Sequence, residues 1–150
     1  MSAASPKRRP ATISDLPALL AIHEAAFRGL VEARFDWDPA LQRQLFSAGP
    51  LGEVLVLEGQ VIGQWLVERR PEEIFLARVM ISPAYQGRGI ATALIQELQA
   101  EASAAGLPLT LQVWEENPAR ALYERLGFAV TGAREFRVAM RWEPRTGPSS

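Results

Sequence analysis

The sequence predicts a mixed α/β domain, and three observations carry that reading. Strand-like runs alternate with amphipathic helical runs along most of the chain. Two strand–helix–strand passages require a locally parallel centre, and turn-linked strand pairs require antiparallel flanks. The chain has 150 residues, 48% of them hydrophobic and 22% charged, with Lys plus Arg at 16 against Asp plus Glu at 17. That is long enough and apolar enough to bury a core without disulfides or structural metals.

The elements follow from local signals. Residues 1–8 are polar, with a basic Lys7-Arg8-Arg9 cluster at their end, and are expected to form a flexible leader. The cluster reads as a solvated tail or as a contact to phosphate or nucleic acid. A first strand is expected over residues 9–12. Ser14 or Asp15 would cap the helix that follows, Pro17 fits its first turn, and Leu16, Leu19, Leu20, Ile22, Ala26 and Phe27 form its apolar stripe. Residues 37–46 read as a second helix, with Asp38 as cap and Pro39 at its first position. Residues 53–58 and 61–69 form a hairpin about Gly59-Gln60. A strand over 74–81 leads to a long helix over 90–105 that stops at Gly106. A strand over 109–113, a short helix over 118–126 closed by Gly127, and strands over 128–131 and 136–142 complete the domain, expected at 9–143. Residues 144–150 are rich in Pro, Gly and Ser and are expected to be a disordered tail.

Composition excludes several chemistries. A net charge of −1 argues against bulk electrostatic binding of nucleic acid. With no cysteine and a single histidine, His23, the chain offers no thiolate zinc site, no cysteine nucleophile and no histidine-based metal site. No apolar run is long enough to span a membrane and no signal-peptide pattern heads the chain, so a cytoplasmic protein is expected, without membrane or nucleic-acid partners.

The most informative stretch is Val79-Met-Ile-Ser-Pro-Ala-Tyr-Gln-Gly-Arg-Gly-Ile-Ala91. A buried strand enters a turn holding Gln86, Gly87, Arg88 and Gly89, and a helix starts directly after. A helix N-terminus has unpaired N–H groups and a partial positive charge. The glycines let the backbone approach a ligand closely, and Arg88 adds a full charge, so a pyrophosphate fits there. The turn lacks the Gly-Lys-Ser/Thr ending of a Walker loop, and Thr92 stands where a dinucleotide fingerprint needs its third glycine.

Gln86-Gly-Arg-Gly-Ile-Ala91, between strand and helix, resembles the Gln/Arg-x-x-Gly-x-Gly/Ala signature of the Gcn5-related N-acetyltransferases, the GNAT family. Asn117-Pro-Ala-Arg-Ala-Leu-Tyr-Glu-Arg-Leu-Gly-Phe128 resembles that family's second signature. The two occur in the family's order, and the resemblance covers about residues 9–142. It implies a mixed, mostly antiparallel sheet flanked by helices, with a splayed parallel pair of central strands, here 74–81 and 109–113. It implies acetyl-coenzyme A as cosubstrate, and no metal. The backbone of Val79, Met80 and Ile81 would pair with the pantetheine arm like an added strand, helped by a local bulge. The amides from Gly87 through Arg88, Gly89, Ile90 and Ala91 to Thr92 would hold the pyrophosphate. Tyr123 matches the family's usual general acid, which protonates the departing thiolate; its other reading is a packing residue. Asn117 matches an asparagine that contacts coenzyme A, but its step to Tyr123 is one residue short, so Glu116 fits that place equally, and Asn117 before Pro118 also reads as a helix cap.

The resemblance further implies transfer of the acetyl group to a primary amine by direct attack, in a monomer or homodimer, with the 136–142 strand as a place where subunits could pair. Family members acting on peptide amines often carry a Glu at the position of Gln112, which cannot act as a base. Glu72, Glu73, Glu115 and Glu116 are base candidates or solvated charges. The acceptor wall would come from the first two helices. Phe27 and Trp37 with Glu24 suit a cationic amine, and Arg28 suits a carboxylate, which together favour an amino-acid-like or other small-molecule amine. An amphipathic helix with a solvated face accounts for the same residues. A protein lysine or N-terminal acetyltransferase, and an acyl-coenzyme A-binding module without catalysis, are the alternatives.

Overall fold

The structure, a computed structural model, describes residues 5–144. Its strands are β1 (Lys7–Pro10), β2 (Glu53–Leu57), β3 (Gln60–Arg69), β4 (Ile74–Ile81), β5 (Leu109–Trp114), β6 (Ala129–Arg134) and β7 (Arg137–Trp142). Its helices are α1 (Leu16–Glu32), α2 (Pro39–Ser47), α3 (Ile90–Ala105) and α4 (Ala119–Arg125), with short 3-10 turns before α1 and after β4. The strands take the order β1-β2-β3-β4-β5-β7-β6. Every strand pairing resolved residue by residue is antiparallel except β4 with β5. The element order predicted from the sequence is the one observed. Residues 1–4 and 145–150, which hold half of the expected leader and all of the expected tail but Pro144, lie outside the described residues.

The described residues pack as two compact units, one of those up to Leu66 with Arg78–Ile90, the other of Val67–Ala77 with those from Ala91 on. In the first unit, α1 buries Leu16, Leu19 and Ile22 against Phe46 of α2, Val54 of β2 and Met80 of β4, with Leu20, Ala26 and Phe27 packed around them. Each such aliphatic side chain withdrawn from water contributes about 1.5–3 kcal/mol. Two local expectations are corrected here. The first strand begins at Lys7 instead of residue 9, because Lys7 and Arg8 pair with Val56 and Leu55 while their side chains stay in solvent. Asp15 does not cap α1 through its side chain. Its carboxylate accepts the Thr12 N–H at 2.8 Å and a two-pronged pair of bonds from Arg9 at 2.8 and 2.9 Å. Asp38 does cap α2, accepting from the N–H groups of Ala40 and Leu41, with Pro39 at the first position.

The β2–β3 hairpin pairs Leu57 with Gln60, which centres its turn on Glu58-Gly59, one residue before the predicted place. Next along β3, a methyl group at Gly63 would lie 2.2 Å from the Met80 carbonyl oxygen. Only a glycine lets the β4 backbone approach this closely.

In the second unit β4 and β5 run parallel, but their ladder covers three residues, Ile74–Leu76 against Leu109–Leu111, and ends while both strands continue. β5 pairs with β7 along its whole length, and β7 pairs with β6 on its other side. The β5–α4–β6 passage therefore does not make a second adjacent parallel pair, because β7 inserts between the two strands. β7 is paired on both sides within its own chain. Leu109, Leu111 and Val113 alternate inward on β5, as do Val138 and Met140 on β7, and α3 buries Leu94, Ile95, Leu98 and Ala102. Among the described residues no helix is long and apolar enough to cross a membrane.

Candidate active site

The first unit holds the glycine turn. β4 delivers Val79, Met80 and Ile81, the latter two with buried side chains. Met80 belongs to the core, and its backbone carbonyl lies against Gly63 of β3. Past the 3-10 turn Pro83–Tyr85, the Gln86 amide reaches back and donates to the Ile81 carbonyl at 2.9 Å. The turn is thereby tied to the end of its own strand, and Gln86 acts as a brace. Gly87 and Gly89 adopt φ of +78° and +79°, which side-chain-bearing residues resist, and nothing lies within 4 Å of where a Cβ would stand on either. Both are exposed, and α3 starts at Ile90 immediately afterwards. Unpaired N–H groups of a first helical turn, an open glycine surface and the Arg88 guanidinium suit an anion. Arg88 is exposed, lies 4.9 Å over the Tyr85 ring and donates to the Ala84 carbonyl at 3.3 Å, which holds its charge at the turn.

The same unit gathers the expected acceptor wall. His23 packs with its ring centre 5.5 Å from Phe27, 5.6 Å from Trp37 and 5.2 Å from Phe46. Its Nε2 is 2.9 Å from Gln42 Oε1, so Nε2 carries the proton of that bond. Burial pushes the imidazole below its ordinary pKa and nearby Arg78 adds to the effect, while the Gln42 bond works in the other direction. Glu24 and Arg28 are exposed partners: Arg28 bonds Glu24 at 2.6 Å and Glu32 at 3.2 Å along α1, with its guanidinium 5.8 Å from the Trp37 ring. The helical i, i+4 spacing makes these pairs, and they engage both groups expected to meet an acceptor. Arg78 of β4 was missed by sequence reading. The signal was a cation in the middle of a strand otherwise read as core.

The second unit holds the second signature. Tyr123 of α4 is buried, packed edge-on to Phe128 at 5.9 Å. No hydrogen bond to its hydroxyl is formed among the described residues, and burial pushes its pKa up to about 12. Asn117 Oδ1 accepts the Ala119 N–H at 2.9 Å from two residues before α4, whose cap position is Pro118. Gln112 is exposed on β5 and lines a shallow cavity of about 560 Å³ with Gly132, Arg134, Glu135, Arg137 and Ala139. Of the base candidates, Glu73 is engaged by Arg70 at 2.8 Å and Thr110 at 3.0 Å, whereas Glu72 and Glu115 are exposed. Trp65 is core, and Trp114 packs on Phe136 at 4.6 Å. No group of three or more His, Cys, Asp or Glu residues suited to a metal occurs among the described residues.

A mixed sheet with one short parallel ladder, and a glycine turn leading from one of its strands into a helix, is the arrangement that the resemblance to the GNAT family implies. A model of the acetyltransferase (GNAT) domain matches residues 50–130, more than half of the chain, and the protein belongs to that family. Among curated proteins, the chain is 36% identical over 75 residues to the ribosomal protein bS18 alanine N-acetyltransferase of Haemophilus influenzae, across 49% of this chain and 51% of that protein. It is 28% identical over 92 residues to an uncharacterised N-acetyltransferase of Mycobacterium bovis, across 57% of each. The chain thus spans about half the length of the curated relatives it matches. Among solved structures, PaiA N-acetyltransferase of Thermoplasma acidophilum, in complex with coenzyme A, superposes with a TM-score of 0.78 at 17% identity, covering 93% of this chain and 99% of the other. The ribosomal-protein-S18-alanine N-acetyltransferase of Escherichia coli superposes with a TM-score of 0.67 at 24% identity, covering 96% and 97%. These likenesses show the fold.

Proposed function

We propose that the protein is an acetyl-coenzyme A-dependent N-acetyltransferase acting on a primary amine of a small, amino-acid-like molecule. The observation that carries the reading is the open glycine turn at the head of α3, tied by Gln86 to the end of β4. Its amides and Arg88 would receive the pyrophosphate of acetyl-coenzyme A. The β4/β5 ladder ends at Leu76, and the β4 backbone from Val79 onward would serve as the edge for the pantetheine arm. One N–H there would polarise the thioester carbonyl. The amine attacks directly: the C–N bond forms, the C–S bond breaks, and the proton lost by nitrogen balances the one gained by sulfur. Holding the two reactants in attack geometry supplies part of the acceleration.

Tyr123 has a narrower role in this scheme than full acid catalysis. A phenol (pKa ~10) is a weaker acid than a thiol (~8.5), and burial widens the gap. Tyr123 therefore stays protonated and donates a hydrogen bond to the sulfur as negative charge develops, while the proton that ends on sulfur is balanced by the one the amine releases.

The N-terminus of a protein is the second reading of the acceptor, favoured by the names of the Haemophilus and Escherichia relatives. Thiol release from acetyl-coenzyme A, measured over amino acids, polyamines, aminoglycosides and peptides beginning with alanine, tests both. Release with small amines supports the first reading, release confined to peptides supports the second, and release with none overturns both.

A further inference from the structure

Arg78 is a half-buried cation for which no hydrogen-bonding or anionic partner occurs among the described residues. Its guanidinium lies 4.5 Å from the Phe46 ring centre. Phe46 packs on His23 and His23 on Trp37, so one aromatic cluster joins them. Two buried polar atoms of that cluster also lack partners, Trp37 Nε1 and His23 Nδ1. The first is an N–H donor. The second is an acceptor, because Nε2 holds the proton shared with Gln42. Buried polar groups are nearly always paired, so orphans in the same aromatic cluster as an unmatched cation mark a place for a polar ligand. The acidic groups on the same helix face do not supply the missing anion, since Glu24 and Glu32 are both engaged by Arg28.

We propose that Arg78 binds the carboxylate of the acceptor, making the substrates amino acids rather than simple amines. A guanidinium calls for an anion, and Arg78 is built for two-pronged bonding to a carboxylate. His23 Nδ1 calls for a donor, which an amino acid also supplies. The aromatic rings of Phe27, His23 and Phe46 provide the apolar wall for its side chain. The inference deepens the proposed function and rests on it for the reaction, but not for the binding.

The test compares amino acids with their carboxamides, which keep the amine and remove the charge. The wild type should favour the acid in kcat/KM by about 10- to 100-fold, the usual worth of a hydrogen bond to a charged group. Arg78→Met, which keeps the stem packed on Phe46, should collapse that ratio, and Arg78→Lys should restore part of it. Equal use of acid and carboxamide by the wild type, or an unchanged ratio in Arg78→Met, overturns the proposal. Calorimetric binding of an N-acetyl amino acid against its carboxamide gives a readout without turnover. Acid-selective binding lost in Arg78→Met, in a wild type that releases no thiol, supports the carboxylate site while rejecting the reaction. Absence of both overturns both.

Discussion

Arg28 and Arg78 carry the same guanidinium into different surroundings, and the difference is a matter of spacing. Arg28 stands four residues from Glu24 and from Glu32 on one helix and is neutralised by them; Arg78 stands on a strand among aromatic rings and is not. Single-residue arguments from composition could find the first and not the second, because a strand residue's neighbours come from remote segments. Tyr123 is the opposite case: its place in Leu122-Tyr123 before Gly127-Phe128 was legible, while the burial that raises its pKa was not. Tyr123→Phe should lower kcat by about 10²-fold or more with little change in KM for acetyl-coenzyme A, as read by initial rates; an unchanged kcat would remove Tyr123 from the chemistry. Asp15 supplies a prediction on stability. Its bonds from Arg9, and next the Thr12 N–H, hold its carboxyl well below the usual carboxylate range. The folded state therefore binds a proton less readily than the unfolded chain, for which the value is ~3.9. The stabilisation is complete above that pH and is lost as pH falls below it. Asp15→Asn should be less stable than wild type at neutral pH in urea titrations, and the two should converge towards pH 2.

At the scale of elements, the turn from β4 into α3 depends on backbone conformation more than on side-chain chemistry. Gly89→Ala places a side chain at φ +79° with open space around it, so its cost is conformational, about 1–2 kcal/mol. Steady-state kinetics should show KM for acetyl-coenzyme A raised more than kcat is lowered; the reverse would mean that the turn serves the chemistry and not the coenzyme. Helix and hairpin positions were legible because their signals are local: Asp38-Pro39 before α2, Gly59 at the hairpin, Gly106 after α3. Where the prediction of strand partners slipped, the cause was pairing at a distance. β1 recruits Lys7 and Arg8 because β2 offers them a partner, and β7 enters between β5 and β6 through contacts that no run of sequence announces.

For the whole molecule, the two motifs lie far apart in sequence, and their resemblance to one family carried more of the functional reading than composition did. Composition removed thiol and metal-site chemistries and left most others. Binding the coenzyme should stabilise the folded chain by about 2.7 kcal/mol at a hundredfold excess over Kd, a rise in Tm of roughly 5–10 °C for a chain of this size. Differential scanning fluorimetry with acetyl-coenzyme A and with adenosine alone reads this; equal shifts for the two would deny the pantetheine arm any part in binding. The three-residue parallel ladder has a further consequence, for the order in which the chain folds. Hairpins such as β2–β3 close between near neighbours, but joining Ile74–Leu76 to Leu109–Leu111 means closing all of α3 into a loop for three rungs in return. That junction forms late and opens early, and until it closes the apolar edge of β4 is exposed to other newly made chains, so expression at lower temperature should improve the soluble yield.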